Sequence, residues 1–410
     1  MSRLVPDGHL FGLDALPYGS FRLRDDPRPR VGVAIGDAVL DLGATARDLL
    51  PTHGGLFERG DLEGLLGAGP VAWAQVRAAL RGWLGAVDLD EAVERALHPV
   101  ADVTMLLPFP VADYVDFYSS EAHATNVGRI FRPDSPPLSP NWKHLPIGYH
   151  GRAGTVVPSG TPIRRPYGQR RTAQGDVVFG ASTRLDVEAE LGFVVGTPST
   201  LGKPVLMESF ADHVFGVCLV NDWSARDIQA WESIPLGPFL GKSFATSISS
   251  WVVPLAALDA ARVEPPVRDP RPLPYLDDTG LEPWGLDLAF ELRVNGDVLS
   301  RPPFATTYWT GAQQLAHLTV NGASLRTGDL YASGTVSGPE KDERGCLLEL
   351  TWGGAEPFGL SDGTSRTFLE DGDEVVITAT APGPGGTRLG LGEVRGAVVA
   401  AADRHGPADR

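Results

Sequence analysis

The hydrophobic pattern of this chain predicts short strands more often than helices. Phe21–Arg24 and Arg30–Ile35 have the apolar spacing of strands. The turn pair Gly36-Asp37 and the run Ala38–Leu42 then predict a hairpin. In the second half of the chain, Leu286–Val294 alternates strictly between apolar and other residues. We therefore expect a mainly β protein of the α+β class.

Helical spacing is confined to a few segments. Pro70 suits a first helical position, and Val76, Leu80 and Leu84 follow at helical intervals. Two polar residues predict further helix starts. Asp90 is expected to cap a short helix that runs to Leu97. Ser224 and Asp227 fit a capping box, which predicts a helix from Ser224 to about Trp231.

The length of 410 residues exceeds the usual size of one domain, so we expect two. Pro108 and Pro110 mark the boundary, with a small domain at residues 1–107 and a larger one at 108–410. The 42% of apolar residues is enough for a substantial core and excludes wholesale disorder. Residues 403–410 are expected to fray.

Charge and composition narrow the classes of function. Thirty-five basic and 51 acidic residues give a formal net charge of −16, which argues against nucleic acid or an anionic membrane as the main partner. The chain has no apolar run of membrane-spanning length and no apolar leader at its start. Two cysteines are too few for a disulfide framework. These features predict a cytoplasmic protein that acts on a small molecule.

Acidic residues next to apolar runs are the main candidates for chemistry. Glu188 and Glu190 are two apart in a predicted buried strand, so both side chains leave one face. Asp222 follows the apolar run from Phe215 to Val220, and Asp116 belongs to a turn-rich stretch that also holds His123. Each of these residues could instead be an ordinary surface or helix-capping residue without a role in chemistry. Because these four carboxylates supply only oxygen, Mg²⁺, Ca²⁺ or Mn²⁺ is the sharper interpretation.

Basic and amide side chains stand nearby in the sequence. Arg226 and Gln229 are three apart and share a helix face, although Arg226 could instead pair with Asp222 or Asp227. Lys242 follows glycines without the spacing of a phosphate-binding loop, so an exposed loop lysine is the alternative.

Several longer motifs resemble the fumarylacetoacetase family. They are Asp113–Ser120, His123–Gly128, Pro146–Arg152, Asn221–Gln229, Pro235–Phe244 and Ala332–Gly338, with Leu16–Gly19 and Val31–Asp37 near the start. The resemblance spans nearly the whole chain. It implies a small SH3-like N-terminal domain, a mixed β-sandwich roll and a homodimer. It also implies hydrolysis of the carbon–carbon bond of 4-fumarylacetoacetate to fumarate and acetoacetate, the last step of tyrosine and phenylalanine catabolism.

Roles for individual residues follow from the resemblance. It implies His123 as general base, Glu349 as the carboxylate that orients it, and Arg226, Gln229 and Lys242 as groups facing the oxyanion. The resemblance implies a metal site for Mg²⁺ or Ca²⁺, made of Asp116, Glu188, Glu190, Asp222, Lys242 and Thr246. It implies contacts with the diketo acid substrate for Tyr118, Arg132, Tyr149, Arg226, Gln229 and Thr335.

Two positions depart from the family pattern. Ser233 stands where the family usually has a tyrosine, and Ala245 where it usually has a glycine, which leaves the accepted acyl group open. Two other functions also stay open. Relatives with the same Glu188, Glu190 and Asp222 decarboxylate, isomerise or hydrate related acids, and a metal-stabilised binding module would need no chemistry at all. The His123–Glu349 combination favours hydrolysis.

Overall fold

The computed structural model describes residues 4–402, so the predicted fraying of residues 403–410 lies outside the described residues. It is sheet-rich with scattered helices, which confirms the α+β class. The α-helices in this part of the chain span Leu42–Leu49, Glu63–Gly67, Pro70–Gly85, Glu91–Arg95, Glu121–Phe131, Phe210–His213, Arg226–Glu232, Gly311–Thr319 and Leu347–Leu350. Within residues 4–402, no helix has both the length and the apolar character needed to cross a membrane.

Thirteen strands of the described residues form one mixed sheet. Its strands in chain order are Tyr18–Leu23, Arg30–Ile35, Ala38–Asp41, Leu97–Pro99, Val103–Met105, Tyr114–Phe117, Gly148–His150, Val156–Pro158, Ala189–Val195, Val214–Asp222, Thr246–Ile248, Trp251–Pro254 and Leu330–Ala332. Tyr18–Leu23 pairs with Trp251–Pro254, so the sheet is continuous between the N-terminal region and the rest of the chain. The SH3-like description and the boundary at residue 107 stay predictions.

A second sheet of five strands packs against the first, and their facing side chains make the main core. Its strands are Ile163–Arg164, Ala289–Val294, Asp297–Ser300, Glu374–Pro382 and Arg388–Val399. Buried and partly exposed residues alternate along Glu374–Pro382, as expected for a strand with one face on the core. Short two-stranded pairs complete the described strands: Tyr167–Arg171 with Val177–Ala181, Leu185–Asp186 with Ser224–Ala225, Arg262–Val263 with Gly285–Leu286, and Phe358–Gly359 with Ser365–Arg366.

Two predicted helices differ from those observed. The capping box at Ser224 is wrong, because Ser224 pairs as a strand residue with Asp186 and the helix begins at Arg226. Asp90 does cap a helix, its side chain accepting from the N–H of Ala92, but that helix ends at Arg95. Leu97–Pro99 then pairs with Ala38–Leu40, so strand pairing overrides the helical spacing there.

The Glu121–Phe131 helix is held close to a neighbouring loop by a glycine. A Cβ built on Gly128 would lie 2.0 Å from the carbonyl oxygen of Pro137, which is a backbone atom with little freedom to move. A Cβ built on Gly82, on the exposed face of the Pro70–Gly85 helix, has no atom of residues 4–402 within 4 Å, its chain neighbours and its own helix backbone apart.

We expect Gly128→Ala to lower the free energy of unfolding by about 1–3 kcal/mol, because the added methyl overpacks the site. Gly82→Ala is the matched control and should raise it by about 0.5–1 kcal/mol, since alanine is the better helix former. Denaturant titration of both variants measures the difference. Equal effects of the two substitutions would show that the contact with Pro137 does not constrain this helix.

Candidate active site

Neighbouring strands of the large sheet place four carboxylates at one end. Asp116 is on Tyr114–Phe117, Glu190 is on Ala189–Val195, and Asp222 ends the strand Val214–Asp222. Glu188 immediately precedes the Ala189–Val195 strand, and its backbone bridges to Cys346. One oxygen of each carboxylate lies within 4.8 Å of an oxygen of the others. We call Asp116, Glu188, Glu190 and Asp222 the carboxylate cluster.

Two buried cations face the carboxylate cluster. Lys242 Nζ contacts a carboxylate oxygen of Glu188 and lies 2.6 Å from Asp222 Oδ2. Arg226 Nη2 lies 2.6 Å from Glu188 Oε1. Thr246 donates its hydroxyl to Asp222 Oδ1 at 2.9 Å, and the Tyr149 hydroxyl lies 3.3 Å from Asp222 Oδ2. Glu188 and Asp222 are thus paired with cations.

The remaining acceptors of the carboxylate cluster fit a divalent cation. Asp116 Oδ1 and both carboxylate oxygens of Glu190 are buried without a hydrogen-bond partner in the described structure, although buried polar atoms are nearly always paired. Burial, together with the neighbouring carboxylates, raises the pKa of both Asp116 and Glu190 well above the usual range. Unpaired carboxylate oxygens in an all-oxygen set are suitable ligands for Mg²⁺, Ca²⁺ or Mn²⁺.

A second polar group, His123 with Glu349, lies beside the cluster. Ser120 caps the Glu121–Phe131 helix by accepting from the N–H of His123, which places the imidazole in the first turn. His123 Nδ1 lies 2.6 Å from Glu349 Oε2, and both side chains are buried. Asn126 Nδ2 and Ser337 Oγ donate to the same carboxylate, each at 2.8 Å.

The surroundings of Glu349 keep it ionised. Burial by itself raises the pKa of Glu349, but the charge of His123 and the hydrogen bonds from His123, Asn126 and Ser337 outweigh burial and lower it to about 2. When the ring is neutral and its N–H at Nδ1 donates to the ionised Glu349, Nε2 is the acceptor nitrogen. Such a ring can take a proton from water.

Most of the candidate residues line one cavity of about 570 Å³. Its walls include Asp116, Tyr118, His123, Arg132, Tyr149, Glu188, Glu190, Arg226, Gln229, Lys242 and Thr335. Three predicted site residues do not line it. Asp222 and Thr246 line a smaller adjoining cavity, and Glu349 lies behind His123. Ser233 also lines the main cavity, whereas Ala245 is buried away from its walls.

The structure distinguishes between the alternative interpretations of the charged residues. Glu188 and Glu190 are buried and do not form a solvated strand face. Arg226 pairs with Asp186 and Glu188, while Asp227 accepts from Ser182 and Thr183. Lys242 is 6% exposed and therefore is not a surface lysine. The catalytic and ligand roles of these residues stay predictions.

One buried carboxylate was missed by the sequence reasoning. Asp186 Oδ2 accepts from Arg226 Nε at 2.8 Å and from the N–H of Leu348 at 3.0 Å, and Oδ1 accepts from the N–H of Leu347 at 2.7 Å. It therefore joins Arg226 to the Leu347–Leu350 helix, which carries Glu349. The signal was present, because Asp186 precedes Glu188 by two positions in the same alternating run.

Family models match almost the whole described chain. Residues 14–108 match "Fumarylacetoacetase N-terminal", and residues 114–399 match "Fumarylacetoacetate (FAA) hydrolase C-terminal". The fumarylacetoacetase of Homo sapiens is 47% identical over 407 residues, covering 95% of this chain and 96% of the relative. That of Arabidopsis thaliana is 44% identical over 408 residues, covering 96% of each.

Solved structures share the fold at low identity. A fumarylacetoacetate hydrolase from Exiguobacterium antarcticum aligns with a TM-score of 0.55 and 18% identity, covering 94% of this chain and 99% of that one. A maleylpyruvate hydrolase from Sphingobium sp. SYK-6, in complex with manganese(II) and pyruvate, aligns with a TM-score of 0.52 and 16% identity. This alignment covers 94% of this chain and 100% of that one. At these identities the likeness supports the fold alone.

We expect Asp186→Asn to lower kcat as well as stability, because it removes the charge that holds Arg226 and the helix of Glu349. The loss of a buried ion-pair partner should cost about 3–5 kcal/mol of unfolding free energy. Asp41→Asn is the control: Asp41 is a buried carboxylate that contacts Arg30 and a helix N-terminus but does not line the cavity. Steady-state kinetics and denaturant titration separate the two effects. Similar kcat values in the two variants would make Asp186 a purely structural residue.

Cation binding should release protons. The raised pKa values of Asp116, Glu190 and Asp222 mean that these carboxyls hold protons to higher pH than free ones, and ligation requires the ionised form. We expect the apparent affinity for Mg²⁺ to rise with pH. Calorimetry in two buffers of different ionisation enthalpy counts the protons released. A binding enthalpy that is the same in both buffers would contradict this.

Proposed function

The chain belongs to the fumarylacetoacetase family of hydrolases, and we propose that it splits 4-fumarylacetoacetate with water into fumarate and acetoacetate. The observation that carries this is the placement of the His123–Glu349 pair beside the carboxylate cluster in one cavity. The reaction would be the last step of tyrosine and phenylalanine breakdown.

The carboxylate cluster would hold Mg²⁺ or Ca²⁺, since its four members supply oxygen only. When bound there, a divalent cation would supply positive charge that stabilises a 1,3-dicarbonyl and the negative charge that develops on its leaving group. Lys242 binds Asp222 Oδ2 and Thr246 donates to Asp222 Oδ1, so the two together keep this carboxylate oriented. Both ions prefer oxygen ligands, so the proposal covers either of them.

Water activation is assigned to His123. With Nδ1 donating to Glu349, the free Nε2 takes a proton from water as that water attacks the carbonyl carbon next to the bond that breaks. Glu349 stays ionised and stabilises the imidazolium that forms. His123 then returns the proton to the carbon of the departing acetoacetate, which balances the reaction.

Arg226, Gln229 and Lys242 are proposed as the donors to the tetrahedral alkoxide, which is supported by their positions in the cavity wall. Arg226 Nη1 donates to Gln229 Oε1 at 3.1 Å, which leaves the amide nitrogen of Gln229 as the group that would donate to the alkoxide. Lys242 Nζ carries a full charge, because Asp222 and Glu188 outweigh burial and raise its pKa. Removal of one donor of this kind typically costs about 3–4 kcal/mol of transition-state stabilisation.

Contacts with the diketo acid are proposed for Tyr118, Arg132, Tyr149 and Thr335. The Thr335 hydroxyl is buried without a partner in the described structure and lines the cavity. Arg132 is exposed at the cavity wall, where it can meet a carboxylate from solvent. A homodimer and a cytoplasmic location are further proposals, supported by the resemblance for the first and by the composition for the second.

Incubation with fumarylacetoacetate, followed by loss of the diketone absorbance, tests the function directly. Fumarate and acetoacetate as products support hydrolysis. Release of CO₂ would show a decarboxylase, and an unchanged substrate that nevertheless binds would show a binding module. Either of these results overturns the proposal.

We expect His123→Phe to lower turnover by about 10²–10⁴-fold, the range for loss of a general base. Binding of the cation should survive, because His123 contributes no atom to the carboxylate cluster. Calorimetry with Mg²⁺ provides the control. A variant that keeps near-normal turnover would remove His123 from the base role.

Glu188→Ala should weaken Mg²⁺ binding by at least tenfold, because it removes one of four carboxylates and leaves Lys242 and Arg226 with one partner fewer. Calorimetry of the folded variant measures the change. An unchanged affinity would show that Glu188 does not contact the cation.

A further inference from the structure

A ring nitrogen, a sulfur and a carboxylate oxygen meet behind the cavity. His123 Nδ1 lies 2.6 Å from Glu349 Oε2, Cys346 Sγ lies 3.1 Å from the same oxygen, and Sγ lies 3.9 Å from Nδ1. All three side chains are buried. We call this group the thiol triad.

The donor types of the thiol triad, imidazole, thiol and carboxylate, are those found in zinc sites. Bonds of about 2.0–2.3 Å at tetrahedral angles put neighbouring donor atoms about 3.3–3.6 Å apart. Cys346 Sγ and His123 Nδ1, 3.9 Å apart, are close to that spacing, whereas Glu349 Oε2 lies 2.6 Å from Nδ1 and 3.1 Å from Sγ, so the carboxylate has to move outward to admit the ion. Imidazole, thiolate and carboxylate together favour Zn²⁺ or Cd²⁺ over the hard cations Mg²⁺ and Ca²⁺.

We propose that the thiol triad is a second metal site, one that takes a borderline-soft divalent cation such as Zn²⁺ and thereby stops the reaction. Its inhibitory effect, though not the binding, rests on the proposed function. The carboxylate cluster offers no nitrogen or sulfur and remains the site for the hard cation. The two sites therefore differ in which ions they select.

The protons involved account for the inhibition. In the structure the thiol of Cys346 donates to Glu349 Oε2, and the ring of His123 shares the proton at Nδ1 with the same carboxylate. Binding of the ion breaks the S–H bond and releases that proton to solvent. The ring proton moves from Nδ1 to Nε2, because Nδ1 becomes a ligand. A ring that carries its proton at Nε2 cannot accept one from water, so the base is lost.

Cadmium provides a test that does not depend on activity. The protein in excess Mg²⁺ is titrated with Cd²⁺, and the ultraviolet thiolate-to-cadmium charge-transfer band is recorded. We expect the band to saturate at one equivalent per chain. Only two cysteines exist in the sequence, so Cys346→Ser and Cys346→Ala should abolish the band.

Cys218→Ala is the matched control. Cys218 is equally buried, lies in the strand Val214–Asp222 and is not part of the thiol triad. Its substitution should leave the band unchanged. If no band forms in the parent protein, or if a band of equal intensity persists in the folded Cys346→Ser or Cys346→Ala variant, the site does not exist.

The inhibition has its own measurement. At fixed excess Mg²⁺, one equivalent of Zn²⁺ should lower the hydrolysis rate by at least tenfold, and further Mg²⁺ should not restore it. Each Cys346 variant, compared with its own rate without zinc, should lose less than half of its activity. A band without any hydrolysis in the parent would overturn the proposed function and leave the metal site standing. A band with zinc-insensitive hydrolysis would overturn the inhibition alone.

Discussion

The structure is organised around the electrostatic cost of burying several carboxylates together. In the described part of the chain, Asp186 and the four members of the carboxylate cluster crowd around only two buried cations, Arg226 and Lys242. Ionised groups are expensive to remove from water, and like charges add to that expense. The carboxylates therefore outnumber the buried cations, and a further bound cation would offset the excess negative charge. That excess also explains why Arg226 and Lys242 are buried side chains, although arginine and lysine are usually exposed.

The large sheet fixes the positions of these charged residues. Four strands lie next to one another in this sheet, in the order Val214–Asp222, Ala189–Val195, Leu330–Ala332 and Tyr114–Phe117. Their backbone hydrogen bonds hold Asp222, Glu190 and Asp116 close together although these residues are far apart in the sequence. His123 is tied to the same frame, because the helix that carries it follows the strand of Asp116 after a short turn. Glu349 is different. Its four-residue helix is too short to be stable alone, and Asp186 holds the first amides of that helix in place.

The sequence was informative where chemistry and local pattern coincide. The alternation around Glu188 and Glu190 predicts a shared face, and an aspartate after an apolar run predicts a strand end at Asp222. Asp186 has the same alternation, but nothing in the local sequence indicates that it faces a cation. No local pattern predicts that Glu349 lies beside His123, because the two are 226 positions apart in the sequence; only the family resemblance indicates the pair. The capping box at Ser224 failed because pairing with a distant strand competes with local helix signals.

The pairing of Tyr18–Leu23 with Trp251–Pro254 has a consequence for the chain as a whole. Trp251–Pro254 sits between that N-terminal strand and Val214–Asp222, whose last residue belongs to the carboxylate cluster. Truncation of the N-terminal region would turn Trp251–Pro254 into an unprotected sheet edge, with free amides and carbonyls ready to recruit another molecule. The N-terminal strand therefore covers an edge of the sheet that would otherwise be able to pair with another chain.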